Sequence, residues 1–268
     1  MSKSVSCQAC RDGAELPFAF SMAFQPIVDI ERGRPWAYEA LVRGPEGQSA
    51  MSILDQVTAE TRYRFDQAAR VKAIELAGRL FGTDEAKLSI NFMPNAVYEP
   101  AACIRASLVA AAKVGFARDR LVFEFTENER VDAAHVNRII EEYRRQGFLT
   151  AIDDFGSGYS GLNLLAQYQP DIIKLDMELI RGIAESRARR AIVSGVLATA
   201  EALELTVIAE GIETHEELST LREAGITLFQ GYYLARPAFE ALPELTLPVV
   251  TPLPTAGVAR QRLLAVTR

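Results

Sequence analysis

Apolar residues recur along this chain with two periods. Short apolar runs bounded by glycine, proline or acidic residues alternate with longer stretches whose apolar positions fall three and four apart, the marks of strand and helix. Phe20–Ile30 is the first predicted strand and Trp36–Arg43 the second. The link between them, Glu31-Arg-Gly-Arg-Pro35, is too short for a helix. Parallel neighbours need a crossover of about a dozen residues, so these two strands are expected to be antiparallel if they pair. A helical region over Ser52–Phe81 carries a stripe at Phe65, Ala69, Ala73, Leu76 and Leu80. A third strand, Lys87–Phe92, is broken by Pro94; a helix with Ile104, Leu108, Ala111 and Gly115 on one face follows. The fourth strand is Arg120–Thr126, and a helix through Val136, Ile139, Ile140 and Tyr143 leads to Gly147, a plausible C-terminal cap. The fifth strand opens at Leu149 and places Asp153 and Asp154 side by side at its end, before the turn Gly156-Ser157-Gly158.

The alternation continues to the end of the sheet. After a short helix near Gly161–Gln167 comes a sixth strand, Asp171–Asp176, then helices over Met177–Leu203 with Ile192, Val196, Thr199 and Leu203 as their stripe. The seventh strand is Thr206–Glu213, Thr214 and Glu217 form a capping-box pattern, and the eighth strand is Thr227–Leu234. Eight strands with helices in every gap except the first predict an α/β fold, a (β/α)8 TIM-like barrel whose first strand is antiparallel. The domain organisation expected is an N-terminal arm over 1–19, a barrel over 20–240 and a tail over 241–268 that is proline-rich, then weakly helical and basic.

Composition narrows the function. A net charge of −6 argues against a binder of DNA or RNA polymer, which needs an excess of Lys and Arg. No apolar run approaches the ~18 residues of a membrane span. Cys7, Cys10 and Cys103 make no disulfide framework, so a reducing cytoplasm is expected. Cys7 and Cys10 form one Cys-x-x-Cys with no second pair and no nearby His, which is weak grounds for a zinc or redox site.

The chemistry gathers where strands end. In barrels of this class active sites form at the C-terminal ends of the strands. Strands two to eight offer there, in order, Glu39, Asn91, Glu124, Asp153 with Asp154, Lys174, Glu210 and Gln230. Singly, each is ordinary; an Asp-Asp pair can also share a proton or sit in water. As a set, five carboxylates against one ammonium leave four negative charges, which two divalent cations would cancel. Hard oxygen donors suit Mg²⁺ or Mn²⁺. His135, on a predicted helix, and His215, in a capping segment, are expected at the surface, which disfavours zinc. Adjacent strand residues face opposite sides, so Asp153 and Asp154 reach the mouth together only if the strand has ended, which the glycines after Phe155 permit. Asp153 is then expected to bridge two metals and Asp154 to touch one. Two cations about 3.5–4 Å apart around a water are a device for phosphoester hydrolysis, with Lys174 placed to orient that water or to bind a phosphate oxygen.

These residues resemble the EAL domain family of cyclic di-GMP phosphodiesterases. The resemblance is carried by Tyr38-Glu-Ala-Leu-Val-Arg-Gly44, Ile90-Asn-Phe-Met-Pro94, Glu124-Phe-Thr-Glu127, Asp153-Asp-Phe-Gly-Ser-Gly-Tyr159, Ile173-Lys-Leu-Asp176, Ala209-Glu-Gly-Ile-Glu213 and Phe229-Gln-Gly-Tyr232, in order over about residues 20–240. It implies a barrel with an antiparallel first strand and hydrolysis of cyclic di-GMP to linear pGpG. It further implies that Glu39, Asn91, Glu124 and Asp153 hold one metal and that Asp153, Asp154 and Glu210 hold the second. Lys174 matches the position that holds the attacking water, and Glu127 the one that braces the loop after strand five. Gln230 and Glu213 match positions just outside the metal ligands; Gln230, Gln25, Leu41 and Arg43 match the substrate side, with Arg43 suited to a phosphate and Pro237 near a guanine.

Departures are mild: Met93 and Gly161 stand where the family often has serine, and the loop after Arg43 is short. The resemblance also implies a homodimer with Gly156–Leu165 near the interface. An alternative of another class is a regulatory module that binds cyclic di-GMP or a protein partner with little turnover.

Overall fold

The computed structural model describes residues 16–82, 85–126, 132–158 and 161–248. Cys7, Cys10, Glu127, Tyr159 and most of the predicted arm and tail lie outside the described residues. Strands β1 (Ser21–Asp29) and β2 (Arg34–Arg43) form an antiparallel hairpin turned by Gly33 at φ 63°. Then follow α1 (Ala50–Leu54), α2 (Arg62–Leu80), β3 (Lys87–Asn91), α3 (Pro100–Cys103), α4 (Arg105–Val114), β4 (Leu121–Thr126), α5 (Ala133–Arg145), β5 (Leu149–Phe155) and α6 (Gly161–Gln167). The chain continues through β6 (Ile172–Leu175), α7 (Met177–Ile180), α8 (Arg187–Ala202), β7 (Thr206–Ala209), α9 (His215–Glu223), β8 (Leu228–Phe229) and β9 (Ala238–Phe239).

Strands β2 to β8 pair in chain order, all parallel, and β1 closes the ring between β8 and β2, antiparallel to both. This is the closed eight-stranded barrel with a reversed first strand that the missing first helix predicts. Every residue of β1 is buried, as expected of a strand covered on both faces.

The interior is built in two layers two residues apart. Ile27, Ala37, Val122, Ala151, Ile172, Ile208 and Leu228 pack together as an apolar floor. Two residues along the respective strands from each stand Gln25, Glu39, Glu124, Asp153, Lys174, Glu210 and Gln230. Strand pleating places residues i and i+2 on one face, so a polar layer stacks directly on the apolar one. The intervening residues, such as Phe123, Phe125 and Ile173, face outward into the larger core under the helices.

Several elements differ from the sequence expectation. The region Ser52–Phe81 is two helices, because Thr58 and Thr61 exchange backbone-to-side-chain hydrogen bonds of 2.9 and 3.3 Å and turn the chain. The helices expected over Met177–Leu203 are present, parted at Gly182 with φ 66° and with Ser186 capping α8. The buried face of α8 is Val193, Val196 and Ala200; Ile192 is 52 % exposed, so the predicted stripe is displaced around the helix. Strand β7 stops at Ala209 because Gly211 takes φ 65°. Strand β8 has only two residues, because the chain bends at Gly231, whose Cβ, if present, would lie 2.1 Å from the Ile212 carbonyl oxygen. That short strand leaves part of the β1 edge open, and β9 fills it through Ala23↔Phe239 and Phe24↔Ala238. A two-residue strand carries no readable period, so β9 was not predicted.

Candidate functional site

The polar layer converges on one ammonium group. Lys174 enters the barrel from β6 and is fully buried. Its Nζ lies 2.8 Å from Glu124 Oε2, 3.3 Å from Glu39 Oε2, 3.0 Å from Asp153 Oδ1 and 2.6 Å from Glu210 Oε1. An ammonium has three N–H donors, fewer than the four carboxylates around it. Glu39 and Glu124 accept its hydrogen bonds. Asp153 Oδ1 and Glu210 Oε1 are in ion-pair contact but out of line for a hydrogen bond, and neither accepts one from another described residue.

Neutral groups hold the carboxylates from behind. Asn91 Nδ2 donates to Glu39 Oε1 at 2.7 Å, and Gln230 Nε2 donates to Glu39 Oε2 at 2.7 Å and to Gln25 Oε1 at 3.3 Å. Gln25 Nε2 in turn donates to the Ala235 carbonyl at 3.2 Å. Ser89 Oγ donates to Glu124 Oε1. Ser89 was missed at the sequence level; the signal was its place two residues before Asn91, on the same face of β3.

Asp154 joins the group by a route different from the one expected. The strand does not end before it: β5 runs on to Phe155, and its register with β6 shifts between Ile152 and Phe155. Asp154 sits in that irregularity at φ 54°, a left-handed conformation that aspartate tolerates better than most residues. The bulge, rather than the glycines beyond Phe155, turns the carboxylate. One oxygen each from Asp153, Asp154 and Glu210 lie within 4.8 Å of one another, as do one each from Glu39, Glu124 and Asp153. Asp153 belongs to both triplets.

Crowding shifts the proton equilibria. Burial, with Glu39 and Asp153 adding to it, pushes Glu124 up to about 8 against the pull of Lys174. Burial and the neighbouring Asp153 and Asp176 push Asp154 up to about 6. Burial holds Glu210 well above the ordinary carboxylate range, again against Lys174. Burial alone would lower Lys174, but Asp153, Glu124, Glu210 and Glu39 hold it well above its ordinary value. Such a site carries excess negative charge that a multivalent cation would relieve. Buried oxygens without a donor on Asp153, Glu210 and Gln230 are the donor type a hard divalent cation takes. The amide of Asn91, its nitrogen engaged by Glu39, leaves an oxygen to offer as well.

The remaining predicted residues are spread. Leu41 and Arg43 lie half-buried at the end of β2, Arg43 Nη1 donating to the Val42 carbonyl at 2.7 Å. Pro237 is half-buried just before β9. Glu213 is exposed and pairs with Arg181 at 2.8 Å rather than with the cluster. His135 Nε2 is 3.2 Å from the Pro94 carbonyl, and His215 opens α9 at the surface. A groove of about 780 Å³ lies away from this cluster, lined by Leu197, Leu205, Gly225 and Thr227 among others.

Comparison with known proteins gives matches over most of the chain. The family model described as the EAL domain matches residues 16–237. The chain is 31 % identical over 227 residues to the blue light- and temperature-regulated antirepressor BluF of Escherichia coli, covering 84 % of this chain and 56 % of BluF. It is 31 % identical over 232 residues to a cyclic di-GMP phosphodiesterase of Pseudomonas aeruginosa, covering 84 % of this chain and 39 % of that protein. The chain thus spans about half the length of these relatives or less. Among solved structures, a standalone EAL protein of Vibrio cholerae O395, in its c-di-GMP-bound form, superposes with a TM-score of 0.83 at 51 % identity, over 87 % of this chain and 98 % of that one.

Proposed function

The chain belongs to the EAL domain family, and from that membership together with the charge of its site we propose that it is a metal-dependent phosphodiesterase that hydrolyses cyclic di-GMP to linear pGpG. The observation that carries this reading is the convergence of Glu39, Glu124, Asp153 and Glu210 on Lys174, with Asp154 beside them. Five carboxylates gathered around one ammonium at the mouth of a barrel serve no evident packing purpose, and burying them costs free energy unless cations are bound.

Two Mg²⁺ or Mn²⁺ ions suit the donor set. Glu39, Asn91, Glu124 and Asp153 would hold one and Asp153, Asp154 and Glu210 the other. When bound, such ions lower the pKa of a water and neutralise charge that develops on the phosphoryl oxygens. The residues of the chain do the rest. Lys174 has three N–H donors and hydrogen-bonds Glu39 and Glu124 with two of them, so the third would orient the attacking water. The water oxygen forms a bond to phosphorus and one ester P–O bond breaks. One proton of the water ends on the leaving hydroxyl and the other goes to solvent. Gln230, bonded to Glu39 and Gln25, keeps the Glu39 carboxylate from turning away. Arg43, at the rim, supplies a planar cation for the second phosphate, with Leu41 and Pro237 against the bases. Glu127, outside the described residues, would brace the loop after β5.

The test is direct. Purified protein with Mg²⁺ or Mn²⁺ is expected to convert cyclic di-GMP to pGpG, and chelator to abolish it. No product with either metal rejects the reading. A second reading is a regulatory module that binds cyclic di-GMP or a protein partner with little turnover; similarity to an antirepressor favours it. Tight binding without pGpG would decide for it. The proposal includes a homodimer formed near Gly156–Leu165 and a cytoplasmic location, the first of which light scattering at active concentration checks; no helix among the described residues is long and apolar enough to cross a membrane.

A further inference from the structure

Behind Asn91 the barrel wall holds charges that this chemistry does not use. Asp66 and Arg70 of α2 and Tyr143 of α5 are all buried, Arg70 and Tyr143 completely. Arg70 Nη2 donates to Asp66 Oδ2 at 2.5 Å, and Arg70 Nη1 donates to the Tyr143 hydroxyl at 3.1 Å. A buried ion pair is often no more stabilising than well-packed apolar residues of the same volume. Stability alone therefore explains little of why two charges sit in the middle of an apolar layer.

What the pair accomplishes is the fixing of an acceptor. Asp66 Oδ1 accepts the backbone N–H of Met93 at 2.9 Å. Met93 is two residues beyond Asn91, where β3 has ended and the chain turns into Pro94. The residue between them is held from another side. Phe92 N donates to the Glu124 carbonyl at 2.9 Å, and the Phe92 ring packs against Phe125 and Tyr143 with centroids 5.9 and 5.5 Å apart. Tyr143 is thus shared: its hydroxyl meets Arg70, and its ring meets Phe92. The backbone that carries Asn91 is pinned on both sides, and Asn91 Nδ2 reaches Glu39 at 2.7 Å.

We infer that Asp66 is a positioning residue for the cation site: held by Arg70, its Oδ1 sets the Met93 amide and through it the placement of Asn91 against Glu39. The inference rests on the reading of Asn91 as a cation ligand. Residues that orient metal ligands from outside commonly change metal affinity by about 10- to 100-fold when altered.

Two double variants separate positioning from stability, since both remove the buried charges together. D66N/R70Q keeps a side-chain oxygen for the Met93 N–H; D66A/R70M removes it. Mn²⁺ binding is measured by calorimetry without substrate, with thermal unfolding alongside. D66A/R70M is expected to bind Mn²⁺ at least about tenfold more weakly than the native protein, with D66N/R70Q within about threefold of it. Equal Mn²⁺ affinity in the two folded variants overturns the inference, as does native affinity in D66A/R70M. Should D66A/R70M not fold, D66S/R70M, whose hydroxyl is too short to reach Met93, gives the same comparison. Native protein that binds Mn²⁺ but does not hydrolyse cyclic di-GMP sinks the hydrolase reading while the affinity difference between variants still supports this one. Native protein that binds no Mn²⁺ overturns this inference, while the hydrolase reading still falls or stands on pGpG formation with Mg²⁺.

Discussion

Lys174 Nζ stands 2.6 Å from Glu210 Oε1 and 2.8 Å from Glu124 Oε2, so a single ammonium ties the residue that follows β7 to strand β4. It is the positive charge that the surrounding carboxylates share. Its removal has two separable consequences.

Lys174→Met is expected to lower cyclic di-GMP turnover by about 10²- to 10⁴-fold, the usual range for loss of a group that orients or assists a proton-transferring water. It also leaves the buried carboxylates without their ammonium, and breaking such a pair costs about 3 kcal/mol or more. Steady-state kinetics at saturating Mn²⁺ and thermal unfolding in chelator read the two effects; near-native turnover would remove Lys174 from the mechanism.

The chelated protein should lose stability as pH rises. Glu124 is raised to about 8 and Asp154 to about 6, and Glu210 lies well above its ordinary value. A raised carboxyl keeps its proton in the folded chain where the unfolded chain has lost it. Its stabilising effect is present below the ordinary carboxylate range of about 4 and fades as pH climbs through the folded value. Lys174, also raised, gives stability that is retained across this window and lost only above about pH 10. The melting temperature in chelator is therefore expected to fall between about pH 5 and 8, and added Mn²⁺ to flatten the fall. A melting temperature in chelator that rises over that range would contradict the charge assignment.

Asp153 contributes to both carboxylate triplets, whereas Glu124 contributes to one. Asp153→Asn is expected to weaken both cation positions and Glu124→Gln only one. Mn²⁺ titration of the native protein should show two sites, with Asp153→Asn losing both and Glu124→Gln retaining one near native affinity. Two native-like sites in Asp153→Asn would show that the triplets do not share this residue.

Gly231 is placed where a side chain has no room: a Cβ would meet the Ile212 backbone at 2.1 Å from its oxygen and 2.3 Å from its nitrogen. Gly231→Ala must push the two segments apart, and Gln230 is the preceding residue. The expected result is destabilisation of about 1–3 kcal/mol and a fall in turnover larger than that of a surface substitution such as Val109→Ala. Unchanged melting and kinetics would mean the close approach relaxes freely.

The amino-acid sequence by itself determined the alternation of strands and helices, the hairpin that reverses β1, and the polar set. These are local matters. Side-chain period, crossover length and the position of a Glu or Lys near a strand end are legible within a few residues. Period two even carried the layering, since Val122 and Glu124, or Ile172 and Lys174, are two apart and so share a face.

Other features belong to the tertiary structure alone, because they arise between segments far apart in the chain. That Asp154 turns inward through a bulge depends on how β5 registers against β6, which no reading of β5 supplies. That Asp66 and Arg70 lie in the interior depends on the Met93 amide and the Tyr143 hydroxyl arriving beside them; within α2 alone they look like an ordinary surface pair four apart. That β9 exists depends on β8 being too short to cover β1. Local periodicity tells a side chain which face to take, but only the meeting of distant segments decides what that face meets.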